Sequence, residues 1–376
     1  MKITEIRTHA VYAKWRNYVF VELVTDDDEI TGIGEATLAN NQNGVQGAIF
    51  DLRKYVIGQD PFDIEKIWRG MQKGPFWRGG AIFNTAISGI DQALWDIIGK
   101  SLKVPVYKLL GGKYRDNIRL YANGWFSGEG TPRQYADAAL KMTKKGFDAL
   151  KFDPFGKADL TIDPETEKSS VEIVRGVREA VGPKVDLLIE AHGRFSPRTA
   201  IRIGKKLEKF DPFWFEEPCP PEDLDGLVRV GREVDMPIAS GERMFTRWDY
   251  WNLVEKRVAD IIQPDVCHVG GISELKKVGT MAETKNILVA PHNSNGVVST
   301  SAAAHLLTTM PNGLILEYWV DVPWREEIAK EREQVSGGKI KVSEKPGLGV
   351  ELNFTEMKKH PAEETHIDFF TKYKYH

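Results

Sequence analysis

The sequence predicts an α/β protein in which a smaller α+β domain precedes an eight-stranded parallel barrel of the TIM type. Three observations support this: strand–helix alternation from about residue 118, a recurring interval near 26 residues, and a polar residue at the end of every candidate strand. One strand, one helix and two loops take about 25 to 30 residues in such a barrel. The 376 residues exceed one typical domain and suit a barrel with a partner domain.

The first domain is predicted over residues 1–117. Residues 1–40 alternate apolar and polar positions and are interrupted by the acidic turn 26–29, which predicts an antiparallel meander. Apolar side chains recur every three or four positions over residues 81–101, which predicts a helix. The glycine-rich segment 111–116 is interpreted as the linker to the barrel.

The barrel is predicted over residues 118–321. Its candidate strands end near eight polar residues: Asn123, Lys151, Glu190, Glu216, Glu242, Asp265, His292 and Glu317. The successive intervals of 28, 39, 26, 26, 23, 27 and 25 residues fit βα units joined by right-handed crossovers. The long interval contains the charged stretch 156–170, interpreted as an inserted loop. Residues 322–376 form a C-terminal segment that we expect to return to the first domain.

Composition restricts the class of protein. The 51 basic and 54 acidic residues give a net charge of −3 without a long basic block, so nucleic-acid binding gains no support. Cys219 and Cys267 are too few for a disulfide framework and favour a reducing setting. The N-terminus lacks the apolar core of a signal peptide, and no stretch approaches the roughly 18 apolar residues of a membrane helix. We therefore expect a soluble, cytoplasmic protein.

Three glutamates follow the barrel period: Glu190, Glu216 and Glu242 lie 26 residues apart, each at the end of an apolar run. Equal spacing places them at one height on three successive strands, at the C-terminal rim where such barrels carry out chemistry. Carboxylates this close repel one another without a cation, and oxygen ligands suit Mg²⁺. Glu217 is a competing ligand, because neighbours in a strand face opposite sides and only one can face the axis.

Two histidines stand out at the same rim. His192 follows Glu190 by two residues, the strand period, so both side chains should project toward the metal. His292 ends strand seven, and Asp265 at the end of strand six is placed to orient it as a base. His268, which lies past strand six, is a weaker candidate.

Two further features are open to more than one interpretation. Glu317 lies between apolar and aromatic residues, an environment that raises a carboxyl pKa, but a salt bridge to a basic rim residue is the alternative. The aromatic stretch 74–80 of the first domain either reaches over the barrel mouth or forms a contact between the domains.

Taken together, these residues resemble the enolase superfamily, specifically its mandelate racemase subgroup, over essentially the whole chain. The motifs are a ligand on strand three, Glu216-Glu-Pro218 on strand four, Gly241-Glu242 on strand five, the Asp265 and His292 pair, and Glu317 on strand eight. The resemblance implies a modified TIM barrel, (β/α)₇β, with the first domain as a cap. It also implies that Glu216 rather than Glu217 is the ligand, and that Glu190 occupies a position where the family has Asp or Glu.

The chemistry that the resemblance implies is removal of an α-proton. Mg²⁺ holds the substrate carboxylate, a base takes the proton, and the ion, assisted by Glu317, stabilises the enediolate. Racemases of the subgroup carry Lys-X-Lys at the end of strand two, whereas this chain has Lys151-Phe-Asp153. A second lysine base is therefore lacking, and we expect Lys151 to contact the substrate or a ligand carboxylate. Asp153 and Asn123 are likewise assigned to substrate binding.

The Glu190-Ala-His192 arrangement resembles that of sugar-acid dehydratases, in which a histidine there protonates the departing 3-hydroxyl. Segments 120–125, 150–156 and 190–195 look most like gluconate and galactonate dehydratases. The hypothesis is a Mg²⁺-dependent aldonate dehydratase, a hydro-lyase. In it His292 abstracts the C2 proton, His192 expels the C3 hydroxyl as water, and the enol becomes a 2-keto-3-deoxy acid.

Three alternatives remain open. The first is a racemase or epimerase of a 2-hydroxy or amino acid that uses His292 and Lys151 on opposite faces of the α-carbon. The second is a cycloisomerase, which does not require His192 as an acid. The third is a non-catalytic metal-binding barrel. The sequence does not specify the sugar acid, and a homo-oligomer is expected because it is usual in this family.

Overall fold

A computed structural model describes residues 1–128 and 130–365 of the chain. Within them, an antiparallel sheet with its helices precedes a ring of parallel strands. Residues 366–376, which belong to the predicted returning segment, lie outside the described residues. In the part of the chain that the structure describes, no helix combines the length and apolar character needed to cross a membrane.

The cap begins with the predicted antiparallel meander, which is confirmed. A tight hairpin joins its first two strands, with Ala13 paired to Arg16. The long third helix covers the predicted 81–101 and buries its apolar face. The elements are β1 Ile3–Ala13, β2 Arg16–Thr25, β3 Thr31–Glu35, α1 Gln42–Leu52, a 3₁₀ turn Arg53–Tyr55, α2 Ile64–Lys73, α3 Gly80–Ser101 and α4 Val106–Leu109.

Eight parallel strands form the barrel, and each pairs with its neighbour in chain order until the eighth returns to the first. A bridge between Val289 of the seventh strand and Gly313, just before the eighth, closes the ring. The strands are β4 Asn117–Asn123, β5 Ala149–Phe152, β6 Asp186–Glu190, β7 Trp214–Glu216, β8 Ile238–Ser240, β9 Ile261–Ile262, β10 Leu288–Val289 and β11 Leu316–Trp319.

Within the described residues, seven helices alternate with these strands, which is the predicted (β/α)₇β order. They are α5 Pro132–Lys144, α6 Pro164–Val181, α7 Pro197–Leu207, α8 Leu224–Glu233, α9 Thr246–Glu255, α10 Gly271–Glu283 and α11 Val297–Thr309. A 3₁₀ turn, Glu208–Phe210, follows α7. The predicted fold class is therefore confirmed.

Three strands are shorter than the sequence suggests. β8, β9 and β10 end two or three residues before Glu242, Asp265 and His292. These three side chains therefore stand on the loops immediately above the strands.

The stretch 156–170 is not an insertion throughout, and the predicted loop is wrong for its last seven residues. Helix α6 begins at Pro164, whose missing N–H costs nothing at the first helical position. The Asp163 side chain accepts hydrogen bonds from the backbone N–H groups of Glu165 and Thr166, both at 3.0 Å, and so caps the helix.

The segment after the barrel contacts both units. Its elements are β12 Ala329–Glu331, β13 Gln334–Ser336, β14 Lys339–Lys341, β15 Glu351–Leu352 and α12 Phe354–Met357. Strand β14 pairs antiparallel with β4 and extends the barrel sheet, which the sequence did not suggest. Gly347 exchanges backbone hydrogen bonds with Val104 and Val106 of the cap, at 3.0 and 2.9 Å.

Helix α3 of the cap holds the loop that follows β9. The Asp91 carboxylate accepts a hydrogen bond from the backbone N–H of Ser273 at 3.0 Å, at the start of α10. The Thr85 hydroxyl lies 2.9 Å from Nδ1 of His268. Polar contacts of this kind fix a loop more specifically than apolar packing, because each leaves an unsatisfied buried group when it is broken.

A second buried carboxylate of the cap holds the start of α11. Glu35, at the end of β3, accepts hydrogen bonds from the backbone N–H groups of Gly296 and Ser299, at 2.7 and 2.9 Å. These are N–H groups that the first turn of a helix cannot satisfy by itself. The cap therefore fixes the two loops that follow β9 and β10.

Candidate active site

A cavity of about 760 Å³ opens at the C-terminal ends of the barrel strands. Apolar side chains fill the barrel below it: Tyr121, Ala149, Leu188, Trp214, Ala239, Ile261, Ala290 and Ile315. Seven of the ten predicted site residues line the cavity: Asn123, Lys151, Asp153, Glu190, His192, Glu242 and His292. The remaining three, Glu216, Asp265 and Glu317, are buried.

The three glutamates of the 26-residue series converge in this cavity. One carboxylate oxygen of each lies within 4.8 Å of the others. Glu190 and Glu216 are direct partners in the register of β6 and β7, and Glu242 reaches the cluster from the loop after β8. Glu217 lies outside the cluster and forms an ion pair with Arg243 at 2.8 Å.

This donor set fits a divalent cation. Burial and the neighbouring Glu190 carboxylate raise the pKa of Glu216 well above its ordinary value, because the cluster disfavours three negative charges. Three converging carboxylates are suitable ligands for a hard ion such as Mg²⁺.

Lys151, at the end of β5, directs its ammonium group toward the same cluster. Its Nζ lies 2.5 Å from Oε1 of Glu216 and 3.1 Å from Oε2 of Glu190. Burial favours the neutral amine, but Glu216 and Glu317 outweigh that effect and raise the pKa of Lys151 well above its ordinary value. The sequence predicted that Lys151 contacts either the substrate or a carboxylate of the glutamate cluster, and the structure contains the second of these contacts.

His292 and Asp265 form the expected pair. Nδ1 of His292 lies 2.6 Å from Oδ2 of Asp265, which also accepts a hydrogen bond from the Asn295 side chain at 2.9 Å. Because a carboxylate only accepts, Nδ1 carries the proton, and Nε2 lies 3.5 Å from Glu242. Burial lowers the pKa of His292, but Glu242 and Glu317 outweigh burial and raise it to about 9.

His192 stands in the turn after β6, with a φ of 50° in the left-handed region. Its backbone N–H donates to Oε1 of Glu190 at 2.5 Å. Its Nδ1 lies 2.7 Å from Oδ2 of Asp153, and Arg194 forms an ion pair with the same carboxylate. Arg194 is itself held by the Ala191 carbonyl at 2.9 Å. The Asp153 carboxylate therefore orients the imidazole, and Arg194 holds that carboxylate in place.

The two histidines approach the cavity from opposite sides. His192 follows β6, the third barrel strand, and His292 follows β10, the seventh. In a closed ring of eight strands, the third and seventh face each other. Each ring has its Nδ1 against a carboxylate, so the side chains present the same nitrogen, Nε2, for chemistry.

The contacts of Glu317 separate its two predicted states. Its carboxylate accepts hydrogen bonds from the Asn123 side chain at 2.5 Å and the Asn293 backbone N–H at 2.7 Å. Burial alone would raise the pKa, but Lys151 and His292 outweigh burial and lower the pKa of Glu317. The predicted raised pKa is wrong, because alternation in β11 turns the apolar neighbours away and leaves Glu317 among charges. The alternative, an ion pair, is found with Lys151 at 3.5 Å.

The aromatic loop 74–80 does not form a tight contact between the domains. Phe76 and Trp77 contact each other but are 87% and 85% exposed. Ala81, directly after the loop, lines the cavity. The loop therefore stands beside the cavity mouth.

Comparison with known proteins places this architecture in a family. Residues 5–111 match the model of the mandelate racemase / muconate lactonizing enzyme N-terminal domain, and residues 134–357 match the enolase C-terminal domain-like model. The chain belongs to the mandelate racemase / muconate lactonizing enzyme family. The resemblance inferred from the rim residues is thereby confirmed.

Two relatives from this family are dehydratases, the enzyme class that the sequence predicted. The D-galactonate dehydratase of Pectobacterium atrosepticum is 36% identical over 360 residues, which cover 94% of this chain and 92% of the relative. The D-gluconate dehydratase of Thermoproteus tenax is 34% identical over 359 residues, covering 94% of this chain and 72% of the relative.

Solved structures of the family have the same fold. A member of the enolase superfamily from Salmonella Typhimurium has a TM-score of 0.91 at 36% identity, over 96% of this chain and 98% of that one. A mandelate racemase/muconate lactonizing enzyme from Sulfitobacter sp. has a TM-score of 0.91 at 32% identity, over 96% of both chains.

Sequence reasoning missed three polar residues around this family site. Arg194 contacts Asp153, Asn295 contacts Asp265, and Arg16 of the cap lines the cavity. None follows the 26-residue interval that revealed the glutamates. Two had a local signal, since Arg194 lies two residues after His192 and Asn295 lies three residues after His292.

Proposed function

We propose that this family member is a sugar-acid dehydratase that removes water from C2 and C3 of an aldonate. The observation that carries the proposal is the pair of histidines, each with a carboxylate on Nδ1, at opposite sides of a cavity that contains the three-glutamate cluster. The names of the two dehydratase relatives support a substrate of the galactonate or gluconate type.

Loss of water requires both a base and an acid, because the C2 proton is weakly acidic and hydroxide is a poor leaving group. His292, oriented by Asp265, accepts the C2 proton at Nε2. His192, oriented by Asp153, donates a proton from Nε2 to the C3 hydroxyl, and the C3–O bond breaks. The products are water and an enol, which tautomerises to a 2-keto-3-deoxy acid.

Glu190, Glu216 and Glu242 would hold a divalent cation, and we propose Mg²⁺. When bound, such an ion withdraws charge from the substrate carboxylate and so lowers the cost of removing the neighbouring proton. A bound ion would also share the negative charge of Glu242, the largest of the effects that raise the pKa of His292, and would so lower that pKa.

The remaining predicted residues surround these groups. We propose that Lys151 and Asn123, which line the cavity, bind substrate oxygens, and that Glu317 fixes both through its carboxylate. Substrate contact by Asp153 remains a prediction, but both of its oxygens already accept hydrogen bonds from the protein. This supports a positioning role toward His192. A homo-oligomeric state and a cytoplasmic location also remain proposals from the sequence.

The racemase alternative needs Lys151 as a second base on the opposite face. The Lys151 ammonium is buried against Glu216 and Glu190, where the protonated form is stabilised. Beside it stands Asp153, where the racemase pattern has its second lysine. The geometry therefore supports water loss more strongly than racemisation.

The test is a screen of aldonic and aldaric acids with Mg²⁺, in which keto-acid product is trapped with semicarbazide. The proposal predicts product from at least one aldonate. His292→Asn should abolish both product formation and C2 deuterium exchange in D₂O, whereas His192→Asn should abolish product but retain exchange. Exchange by the wild type without any keto acid would establish the racemase alternative. A wild type that does neither, with a tolerated His292→Asn change, would indicate the non-catalytic barrel.

A further inference from the structure

The tip of the first cap hairpin docks on the barrel beside the cavity. Lys14 forms an ion pair with Asp321 at 2.7 Å, and the Trp15 ring lies 5.3 Å from that of Trp319. The next residue, Arg16, begins β2 and lines the cavity. Because the tip is held by these contacts, the guanidinium of Arg16 has a defined place at the side of the cavity that the cap supplies.

The Arg16 side chain has a donor left over. Only 7% of the residue is exposed, and its guanidinium carbon lies 3.3 Å from the centre of the Trp15 ring. NH1 lies 3.3 Å from the Asn295 side-chain oxygen, but Nε is buried without a hydrogen-bond partner. A buried N–H without an acceptor is unfavourable, so an acceptor on a bound molecule is the expected partner.

Arg16 also differs from the other basic side chains in the cavity. Lys151 and Arg243 each have a carboxylate within 2.8 Å, whereas within the described residues no carboxylate lies within 4.0 Å of Arg16. The more distant carboxylates of Asp265 and Glu317 nevertheless act on its charge. Arg16 therefore lacks a hydrogen-bond acceptor rather than a counter-ion. A second carboxylate placed beside it would also meet those two acids.

We propose that Arg16 binds a hydroxyl oxygen on the distal part of the sugar acid, at C5 or C6, and so sets the preference for chain length. This inference rests on the proposed function, since it assigns the far end of the same substrate. The reacting carbons must lie near the glutamates and histidines of the barrel rim, so the rest of the chain extends toward the cap. There it meets Arg16 beside the indole of Trp319, and a donor next to an aromatic face suits a polyol.

The main competing role for Arg16 is support of the base. Arg16 contacts Asn295, Asn295 contacts Asp265, and Asp265 orients His292. If that relay were its whole contribution, loss of Arg16 would slow every substrate by the same factor. Substrate length therefore separates the two roles.

The experiment compares kcat/KM of the wild type and Arg16→Met on two aldonates with the same C2 and C3 configuration, one of six carbons and one of four. We expect a loss of about 10- to 100-fold on the six-carbon acid, the usual effect of losing a charge-assisted hydrogen bond, and little loss on the four-carbon acid. Arg7→Met, which removes an exposed ion pair with Glu5 on β1 of the same sheet, should leave the length preference unchanged. Equal losses on both acids would overturn the proposal.

Two further measurements keep the result interpretable. Arg16→Lys retains the charge but not the planar guanidinium, so it should fold even if Arg16→Met does not. Its preference for the six-carbon acid should lie between those of the wild type and Arg16→Met. A six-carbon aldarate is the third substrate, and Arg16-dependent preference for it over the aldonate would overturn the hydroxyl assignment in favour of a second carboxylate.

Binding separates this inference from the proposed function. In His292→Asn protein with Mg²⁺, calorimetry should show tighter binding of the six-carbon than the four-carbon aldonate, and Arg16→Met should remove the difference. If the wild type dehydrates no acid but this difference is found, the dehydratase proposal fails and the Arg16 assignment stands. If dehydration occurs and the two aldonates bind with equal affinity, the Arg16 assignment is wrong and the dehydratase proposal stands.

Discussion

Oδ2 of Asp153 lies 2.7 Å from Nδ1 of His192, and the same oxygen forms an ion pair with Arg194. Racemases that resemble this chain carry a lysine base at the position of Asp153. In this chain the residue at that position instead contacts a histidine in the turn after the adjacent strand, β6. On the proposed mechanism, this exchange removes a base from one face of the substrate and orients the acid that expels the hydroxyl.

Asp153→Asn should separate elimination from proton exchange. An amide can donate to Nδ1 and so favour the wrong imidazole tautomer, which costs roughly 10²- to 10⁴-fold where a histidine transfers protons. We expect keto-acid formation to fall by such a factor while C2 deuterium exchange, which depends on His292, changes far less. The ratio of the two rates, measured on one aldonate, is the readout.

The matched control is Asp148→Asn. Asp148 precedes β5, at the opposite end of the strand from Asp153, and pairs with Arg119. It should change neither rate. Were elimination and exchange to fall together in Asp153→Asn, Asp153 would act on the substrate or the fold rather than through His192.

Divalent metal should raise the thermal stability of the protein through Glu190, Glu216 and Glu242. A ligand present at 100 times its Kd stabilises the native state by about 2.7 kcal/mol. We expect Mg²⁺ to raise Tm in a concentration-dependent manner in the wild type and to have little effect on Glu216→Gln. Glu217→Gln, which alters the neighbouring carboxylate paired with Arg243, should retain the Mg²⁺ response. A full response in Glu216→Gln would place the ion elsewhere.

The part of the site that the sequence could predict is the part governed by the barrel period. Glu190 and Glu216 pair in register because each ends the strand of its own βα unit, and the two units follow one another in the chain. The pair of Asp265 and His292 followed from the same logic, since consecutive strand ends are neighbours in a parallel ring. These positions can be predicted from the sequence without knowing which distant segments come into contact.

What the sequence could not supply depends on contacts between distant segments. The state of Glu317 is set by Lys151 across the barrel, 3.5 Å away. Arg194 reaches Asp153 from a loop, and Arg16 reaches the cavity from another domain. No local pattern predicts such contacts, because the side chains meet only after folding. The start of α6 is a different case, because Asp163-Pro164 is a local helix-start signal inside a charged stretch that otherwise predicts a loop.

His305 should make stability fall as the solution becomes acidic. It lies buried in α11, accepts a hydrogen bond from the Tyr107 backbone N–H at 3.0 Å, and contacts the Leu348 carbonyl at 3.2 Å. Burial lowers the pKa of His305 to about 4. The neutral ring is therefore favoured in the native state, and its contribution to the free energy of unfolding is complete above about pH 6.5. As the pH falls from about 6.5 to about 4, the free energy of unfolding decreases by about 3 kcal/mol in total.

Urea unfolding at several pH values checks this, with His305→Asn as the comparison. Asparagine offers an acceptor but cannot become charged, so the difference in unfolding free energy between wild type and variant isolates the histidine. That difference should narrow steadily between pH 7 and pH 4. A difference that is constant over this range would show that His305 has the same pKa in the native and unfolded states.

Glu35→Gln should weaken both the docking of the cap and catalysis. The Glu35 carboxylate accepts hydrogen bonds from the N–H groups of Gly296 and Ser299, and an amide offers one acceptor oxygen where two are used. One buried N–H would lose its partner, at a cost of about 1–3 kcal/mol in unfolding free energy. Because Gly296 lies four residues after His292, kcat/KM should fall as well. Glu22→Gln, which alters the partly buried carboxylate that contacts His9, is the control and should cost less. Equal costs in the two variants would mean that the start of α11 keeps its position without the cap carboxylate.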